Sequence, residues 1–102
     1  MASGTLAQAL SSSNTNTVVY TVPSGKLAIF NMNVLNIGAT ASIKIAISDT
    51  STPSSAEYIE SGLILEPGQV LERTGLIASA DKKIIIFSSN SQVSVNVYGY
   101  EE

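Results

Sequence analysis

The feature that most constrains the fold of this chain is a two-residue alternation of apolar and polar side chains, repeatedly cut by turn residues. In Ser42–Ser48, Ile43, Ile45 and Ile47 fall on one side, with Ser42, Lys44, Ala46 and Ser48 on the other. Successive side chains of an extended strand point to opposite faces, so a period of two marks a strand with one buried face. Gln92–Tyr98 repeats the pattern: Val93, Val95 and Val97 oppose Ser94, Asn96 and Tyr98. In Lys26–Asn36 the even positions Ala28, Phe30, Met32 and Val34 are all apolar. The odd positions run Leu27, Ile29, Asn31, Asn33, Leu35, changing from apolar to polar partway along, as in a strand half covered by a second layer.

Shorter runs of the same kind are Thr17–Val22, Glu57–Ser61, Leu63–Leu65, Val70–Thr74, Leu76–Ile77 and Lys83–Ser88. Between them lie Pro23-Ser24-Gly25, Gly38, Pro67-Gly68, Gly75 and the turn Ala78–Lys82. Pro67 and Gly68 suit the two central positions of a type II turn, where proline presets φ and glycine accepts a positive one. Asp49–Ala56 is the longest irregular stretch and reads as a polar surface loop. Ser89-Asn90-Ser91, between two strong strand patterns, predicts a β-hairpin. About seven or eight short strands, with turns every 8–12 residues or so and no sustained helical period, specify an all-β antiparallel β-sandwich or small barrel; Ig-like and jelly-roll topologies both fit. A parallel sheet is excluded for want of crossover helices.

With 102 residues there is material for one domain. The first seventeen residues carry no charge and are rich in Ser, Thr and Asn. Residues 1–16 are therefore expected as a flexible N-terminal arm, and 17–102 as the sandwich. Within the arm, Thr5–Leu10 suits a turn of helix or a short strand. No basic stretch followed by an apolar run opens the sequence, and no run approaches the length of a membrane span, so neither export by a signal peptide nor a membrane partner is expected.

Charged residues make up 13% of the chain against 44% hydrophobic ones, and the mean hydropathy is +0.26. A charge content near half the usual share of about 25% leaves little to cover an isolated particle, which points to surface hidden against other copies or a larger assembly. The five cations, Lys26, Lys44, Arg73, Lys82 and Lys83, form no stripe, and the net charge is −3. Nucleic acid is not an expected partner.

The chain has neither histidine nor cysteine, so a Ser–His–Asp relay, a thiolate nucleophile and a zinc site of the usual His/Cys type cannot be built. Glu57 and Glu60, three apart in a strand, face opposite sides and do not form a carboxylate pair. Asp49, Glu57 and Glu60 bracket the Ser/Thr-rich loop but lack the spaced acids and fixed glycine of a calcium loop. No enzymatic activity, catalytic residue, cofactor or metal ligand is expected. Glu72 and Arg73, adjacent in a strand, point apart.

Two groups suggest contact with other molecules. Ile84, Ile85, Ile86 and Phe87 are apolar on both strand faces, so both must be covered, either by a central place in the sandwich or by another chain; Lys82 and Lys83 guard the approach. Tyr58, Tyr98 and Tyr100 suit a sugar-stacking platform, or packing beneath the N-terminal segment or at a subunit interface, with Gly99 leaving the face opposite Tyr98 and Tyr100 open. Ile84, Ile85, Ile86, Phe87, Tyr98 and Tyr100 are the candidate interface residues.

The segments TVPSGK (Thr21–Lys26), NVLNIGATAS (Asn33–Ser42), YIESGLILEPGQVLERTGL (Tyr58–Leu76) and VSVNVYGYEE (Val93–Glu102) together resemble small β-sandwich virion proteins of tailed bacteriophages. These include capsid decoration (cement) proteins and tail- or fibre-associated modules. The resemblance covers about residues 17–102. It implies a structural protein of the phage particle, assembled in the host cytoplasm as a homo-trimer or other symmetric oligomer, with a major capsid or tail protein as partner. A capsid-decorating role is the first expectation, a tail, baseplate or fibre component the second, and a glycan- or receptor-binding module the third.

Overall fold

The computed structural model describes residues 3–102. Eight strands follow in chain order: β1 (Ser3–Leu10), β2 (Thr15–Thr21), β3 (Ala28–Asn36), β4 (Ala41–Ser48), β5 (Tyr58–Leu65), β6 (Val70–Ala78), β7 (Lys83–Ser88) and β8 (Val93–Glu101), with one 3₁₀ turn at Ser55–Glu57. They form two four-stranded sheets, sheet A in the order β1-β8-β3-β6 and sheet B in the order β2-β7-β4-β5, with every pair antiparallel. The chain is an all-β sandwich.

Of the two topologies left open by the sequence, the pairing selects the jelly roll. β1 pairs with β8, β2 with β7, β3 with β6 and β4 with β5. This is one long antiparallel ribbon doubled back at the β4–β5 turn. Rolling it up adds the pairs β3–β8 and β4–β7, which close the two sheets. Consecutive strands therefore change sheet at every connection except β4–β5. The expected hairpin through Ser89-Asn90-Ser91 is accordingly corrected: β7 lies in sheet B and β8 in sheet A, so these neighbours in sequence cross between sheets without pairing.

The core lies between the sheets. Phe30, Met32 and Val34 of β3, Ile43 and Ile45 of β4, Ile84 and Ile86 of β7, and Val93, Val95 and Val97 of β8 are all fully buried there. The period-two reading holds along β3 and along β8 from Val93 to Tyr98, where burial alternates residue by residue. On β4 it needs two corrections. Ala46 and Ser48, expected outside, are buried. Ala46 sits on the outer face of sheet B between Ile85 and Tyr58, small enough to vanish among larger neighbours. Ser48 Oγ donates to the Glu57 carboxylate and is enclosed by the loop that Glu57 organises.

The expected arm over 1–16 is also corrected for its described part. Ser3–Leu10 is the strand β1, paired with β8 from Ser3↔Tyr100 to Leu10↔Ser94, and residues 15–16 open β2. Leu6 and Ala7 pack against the core, and Gln8 Nε2 donates to Asn96 Oδ1 at 2.7 Å. These backbone bonds and contacts hold in place a segment whose uncharged composition had suggested a flexible arm. The first two residues of the arm lie outside the described residues. The Pro67-Gly68 turn forms as expected: Gln69 N–H donates to Glu66 O at 3.0 Å and Gly68 has φ +82°.

The irregularities fall on the rim. Every register shift places its extra residue on an edge strand: Leu6 on β1, Val19 on β2, Ile59 and Gly62 on β5, and the pair Thr74-Gly75 opposite Asn31 on β6. The central pairs β3–β8 and β4–β7 run without a shift. Bulged edges twist the free N–H and C=O groups out of line and discourage a further strand from adding.

Candidate interaction surfaces

Among the described residues no pocket opens, and no three His, Cys, Asp or Glu side chains gather as a metal site would need. No helix among the described residues is long and apolar enough to cross a membrane. The carboxylates singled out from the sequence have separate structural partners. Asp49 Oδ1 pairs with Lys82 Nζ at 3.0 Å. Glu60 Oε2 lies 2.6 Å from Arg73 Nη1, which also donates to Ile59 O at 3.1 Å, tying the free edges β5 and β6 of the two sheets together. Glu72 faces outward and receives the Tyr98 hydroxyl at 3.4 Å.

Glu57 is the organiser of the 49–56 loop. Its carboxylate accepts the Ser54 N–H at 2.8 Å, the Ser48 hydroxyl at 2.9 Å and the Asp49 N–H at 3.3 Å. The Ser54 backbone bond, then the Ser48 hydroxyl, hold its pKa down to about 2, against a small opposing effect of desolvation. Hydrogen bonds to a carboxylate favour the charged form. At the opposite end of the ribbon, the Tyr20 hydroxyl of β2 donates to the buried Glu101 carboxylate of β8 and bridges the two sheets. Burial first, then the hydrogen bond and charge of Glu101, push the Tyr20 phenol far above its usual value. A third tie went unread in the sequence. Asn36 is fully buried at the end of β3, its Nδ2 donating to Ala39 O and Leu65 O at 2.8 Å each and its Oδ1 accepting Gly38 N–H at 3.0 Å. The only sequence signal was an amide just before Gly38, which a turn alone would also explain.

The candidate interface residues do not share one place. Ile84 and Ile86 lie in the core, and Ile85 is buried on the outer face of sheet B. β7 is a central strand, and Ile84, Ile85 and Ile86 are buried within the chain itself. Across that outer face runs the row Val18–Ile85–Ala46–Tyr58, next to Asn16–Phe87–Lys44–Ser61. Lys44 Nζ lies 5.2 Å from the centre of the Phe87 ring and 5.9 Å from that of Tyr58, a cation held over two aromatic faces. Phe87 is half-buried in this arrangement.

Tyr98 and Tyr100 point outward from sheet A, so Tyr58 on sheet B cannot complete a three-tyrosine platform with them. Gly99 leaves nothing open behind them: a Cβ there would lie 2.1 Å from Ile29 O and 2.7 Å from Phe30 Cα, because the β3 backbone occupies that space.

The outer face of sheet A gathers most of the exposed large apolar side chains among the described residues. Its rows, read across β1, β8, β3 and β6, are Ser3–Tyr100–Ile29–Ile77, Gln8–Asn96–Asn33–Glu72 and Leu10–Ser94–Leu35–Val70. Between the first two lie Thr5, Tyr98 and Asn31, and Ile37 continues the outer side of β3 beyond Leu35. Among the described residues, five of the seven large apolar or aromatic side chains left exposed, Leu10, Ile37, Val70, Ile77 and Tyr100, sit on this face at 38% to 60% exposure. Glu72 is the one charged side chain in its rows. The face is thus banded, apolar at both ends with amides between.

No family model, no curated protein and no solved structure matches the chain.

Proposed function

We propose that this protein is a structural component of a phage particle: a decoration protein that docks on the head and staples adjacent capsid subunits. The observation that carries the reading is the outer face of sheet A, where most of the exposed large apolar side chains are gathered, with a single charge in their rows. An exposed sheet face of this composition is suited to burial against another protein, and no pocket among the described residues opens to hold and turn over a substrate. Repeated by the symmetry of a shell, modest contacts of this kind add up to strong attachment. The resemblance of Thr21–Lys26, Asn33–Ser42, Tyr58–Leu76 and Val93–Glu102 to phage virion proteins supplies the setting, and the jelly-roll topology is one that capsid domains use. The bulged rims shift the attachment mechanism from edge-strand pairing to face burial.

The test is binding to expanded empty heads, read as a rise in their rupture temperature. Heads that neither retain the protein nor gain thermal resistance refute the reading, and co-purification with tails in place of heads assigns it to a tail, baseplate or fibre component. A glycan- or receptor-binding role retains Tyr98 and Tyr100 beside the amides Asn31, Asn33 and Asn96 but loses Tyr58. Glycan-array signals abolished by Tyr98→Ala would favour it.

A further inference from the structure

Nine residues, Asp49–Glu57, separate β4 from β5, although the two are antiparallel neighbours that about two to five residues suffice to join. We infer that Asp49–Ala56 is a strap: it folds back over the outer face of sheet B, covers an apolar floor there, and lifts while the sandwich stays folded. The strap lies on the opposite sheet from the face read as the attachment surface, so it stands whether or not that face attaches to a particle.

Two hydrogen bonds fix its path. Thr50 N–H donates to Ser48 Oγ at 3.1 Å, and Ser48 points outward, on the same side of β4 as Lys44 and Ala46. Asn16 Nδ2 donates to Ser51 O at 3.4 Å, and Asn16 stands two strands away on β2, in the outward row Asn16–Phe87–Lys44. Ser48 belongs to the row Thr21–Lys83–Ser48. From Ser48 to Asn16 is thus two strand spacings across and four residues along β4, about 16 Å. Three residues of chain reach about 10 Å, and the asparagine side chain closes the remainder only along a direct path. That path crosses β7 on its outer side over Ile85, midway between Lys83 and Phe87. Ile85 is 1% exposed and Ala46 0% exposed, although both face outward. The strap closes what their row neighbours Val18 and Tyr58 leave open.

The cover is light. From Asp49 to Ala56 every residue is exposed except Pro53, which is half-buried. The strap therefore gains little from burying its own side chains. Its ties to the sheet include a surface ion pair, Asp49 with Lys82, and the long Asn16–Ser51 bond. Contacts of this kind contribute little, and segments held by them open without the rest of the molecule. The base is firmer, because the Glu57 carboxylate holds both the Ser54 N–H and the Ser48 hydroxyl. A firm base and a light tip make a hinge. Lifted, the strap bares Val18, Ile85 and Ala46 between the Lys44 and Lys83 rows. This is a second apolar surface, occupied in the free chain by the strap itself.

Thiol labelling in this cysteine-free chain tests the strap. Ala46→Cys and Ile85→Cys place reporters beneath it, and Ser61→Cys, exposed on the same face opposite Lys44, is the open control. Two reporters guard against a cysteine that itself props the strap open. With an aromatic disulfide reagent, the reporters should react at least about tenfold more slowly than the control. They should still react far faster than global unfolding allows, which bares a core thiol in roughly one molecule in 10³–10⁶. Their rates should stay flat at low urea, since lifting a loop exposes little surface, and climb only near the unfolding midpoint. Asn16→Ala should speed both reporters severalfold and leave that midpoint nearly in place. Replacing residues 50–55 by Gly-Gly should raise both to the control rate. Both reporters as reactive as Ser61→Cys in the full chain, labelling only along the global urea slope, or rates unchanged by the shortened strap would each overturn the inference.

Discussion

Gly99→Ala is the substitution whose cost the structure sets most sharply. Gly99 lies on the central strand β8, opposite Phe30 of β3, with φ +155°. An alanine Cβ built there stands 2.1 Å from Ile29 O and 2.7 Å from Phe30 Cα. Carbon and oxygen in contact normally keep about 3.3 Å or more, so the β3 backbone must retreat by about 1 Å at the middle of sheet A. Two ladder hydrogen bonds next to the site stretch or break, at about 1 kcal/mol each. Holding a residue with a Cβ at this φ adds about 1–3 kcal/mol. The expected loss is about 3–5 kcal/mol, a large part of the 5–15 kcal/mol or so that holds a typical domain together. The melting temperature should fall by about 15 °C or more. Urea titration followed by far-UV circular dichroism is the assay, since the chain has no tryptophan. Gly62→Ala is the control: its φ is +74° and no atom lies within 4 Å of the new Cβ, so only the backbone term of about 1–2 kcal/mol applies. If Gly99→Ala lies within about 1 kcal/mol of Gly62→Ala, the contact with β3 is not what makes glycine necessary.

Asn36→Ala should cost about 2–4 kcal/mol in the same titration, because three hydrogen bonds are lost and buried backbone groups of the β3–β4 turn are left short of partners; a loss under about 1 kcal/mol would refute the tie. Tyr20→Phe should cost about 1.5–3 kcal/mol by removing the donor to buried Glu101. Because the Tyr20 phenol is raised in the folded state, its contribution is fully present below the ordinary tyrosine value near 10 and is lost as pH rises beyond it. The alkaline fall in melting temperature should thus be shallower in Tyr20→Phe, and an identical fall would count against the bridge. Glu57 has the opposite sign: its folded pKa of about 2 lies below the ordinary 4.5, so its contribution is present above 4.5 and lost as pH falls toward 2. In Glu57→Gln the loss of stability between those pH values should be visibly smaller than in the parent, and equal acid slopes would refute the role of Glu57 in the loop.

How far local pattern carries is clearest on β3 and β8. Their alternation named Phe30, Met32, Val34, Val93, Val95 and Val97 as core, and all are buried between the sheets. The Pro67-Gly68 turn was equally legible, because a type II turn is specified by its own four residues. The failures share one cause. Ser89-Asn90-Ser91 looked like a hairpin because local signals mark where a chain reverses, not which strand it then meets. Thr5–Leu10 suited a turn of helix or a short strand within a flexible arm, because nothing in it announces that β8 will offer it an edge, some ninety residues later in the chain.

The candidate surface was legible in part for the same reason. Tyr98 and Tyr100 lie on the outward side of a strand by parity alone, and they do face outward from sheet A. Ile84, Ile85 and Ile86 demanded cover on both sides, but their sequence could not say whether the cover was the chain itself or a neighbour; the core between the sheets covers Ile84 and Ile86, and Ile85 is buried beside Val18 and Ala46. Leu10, Ile37, Val70 and Ile77 lie far apart in the chain and drew no notice, because each alone is an ordinary surface residue.

The amino-acid sequence by itself determined the strand class, the inward residues of the central strands and the absence of histidine and cysteine chemistry. Each of these is a property of composition or of side-chain parity along an extended chain. Only the tertiary structure decided the jelly roll, the bulged rims and the gathering of scattered apolar residues on one face of sheet A. Those depend on pairing between distant strands, where the energy comes from burial that no single segment can achieve alone.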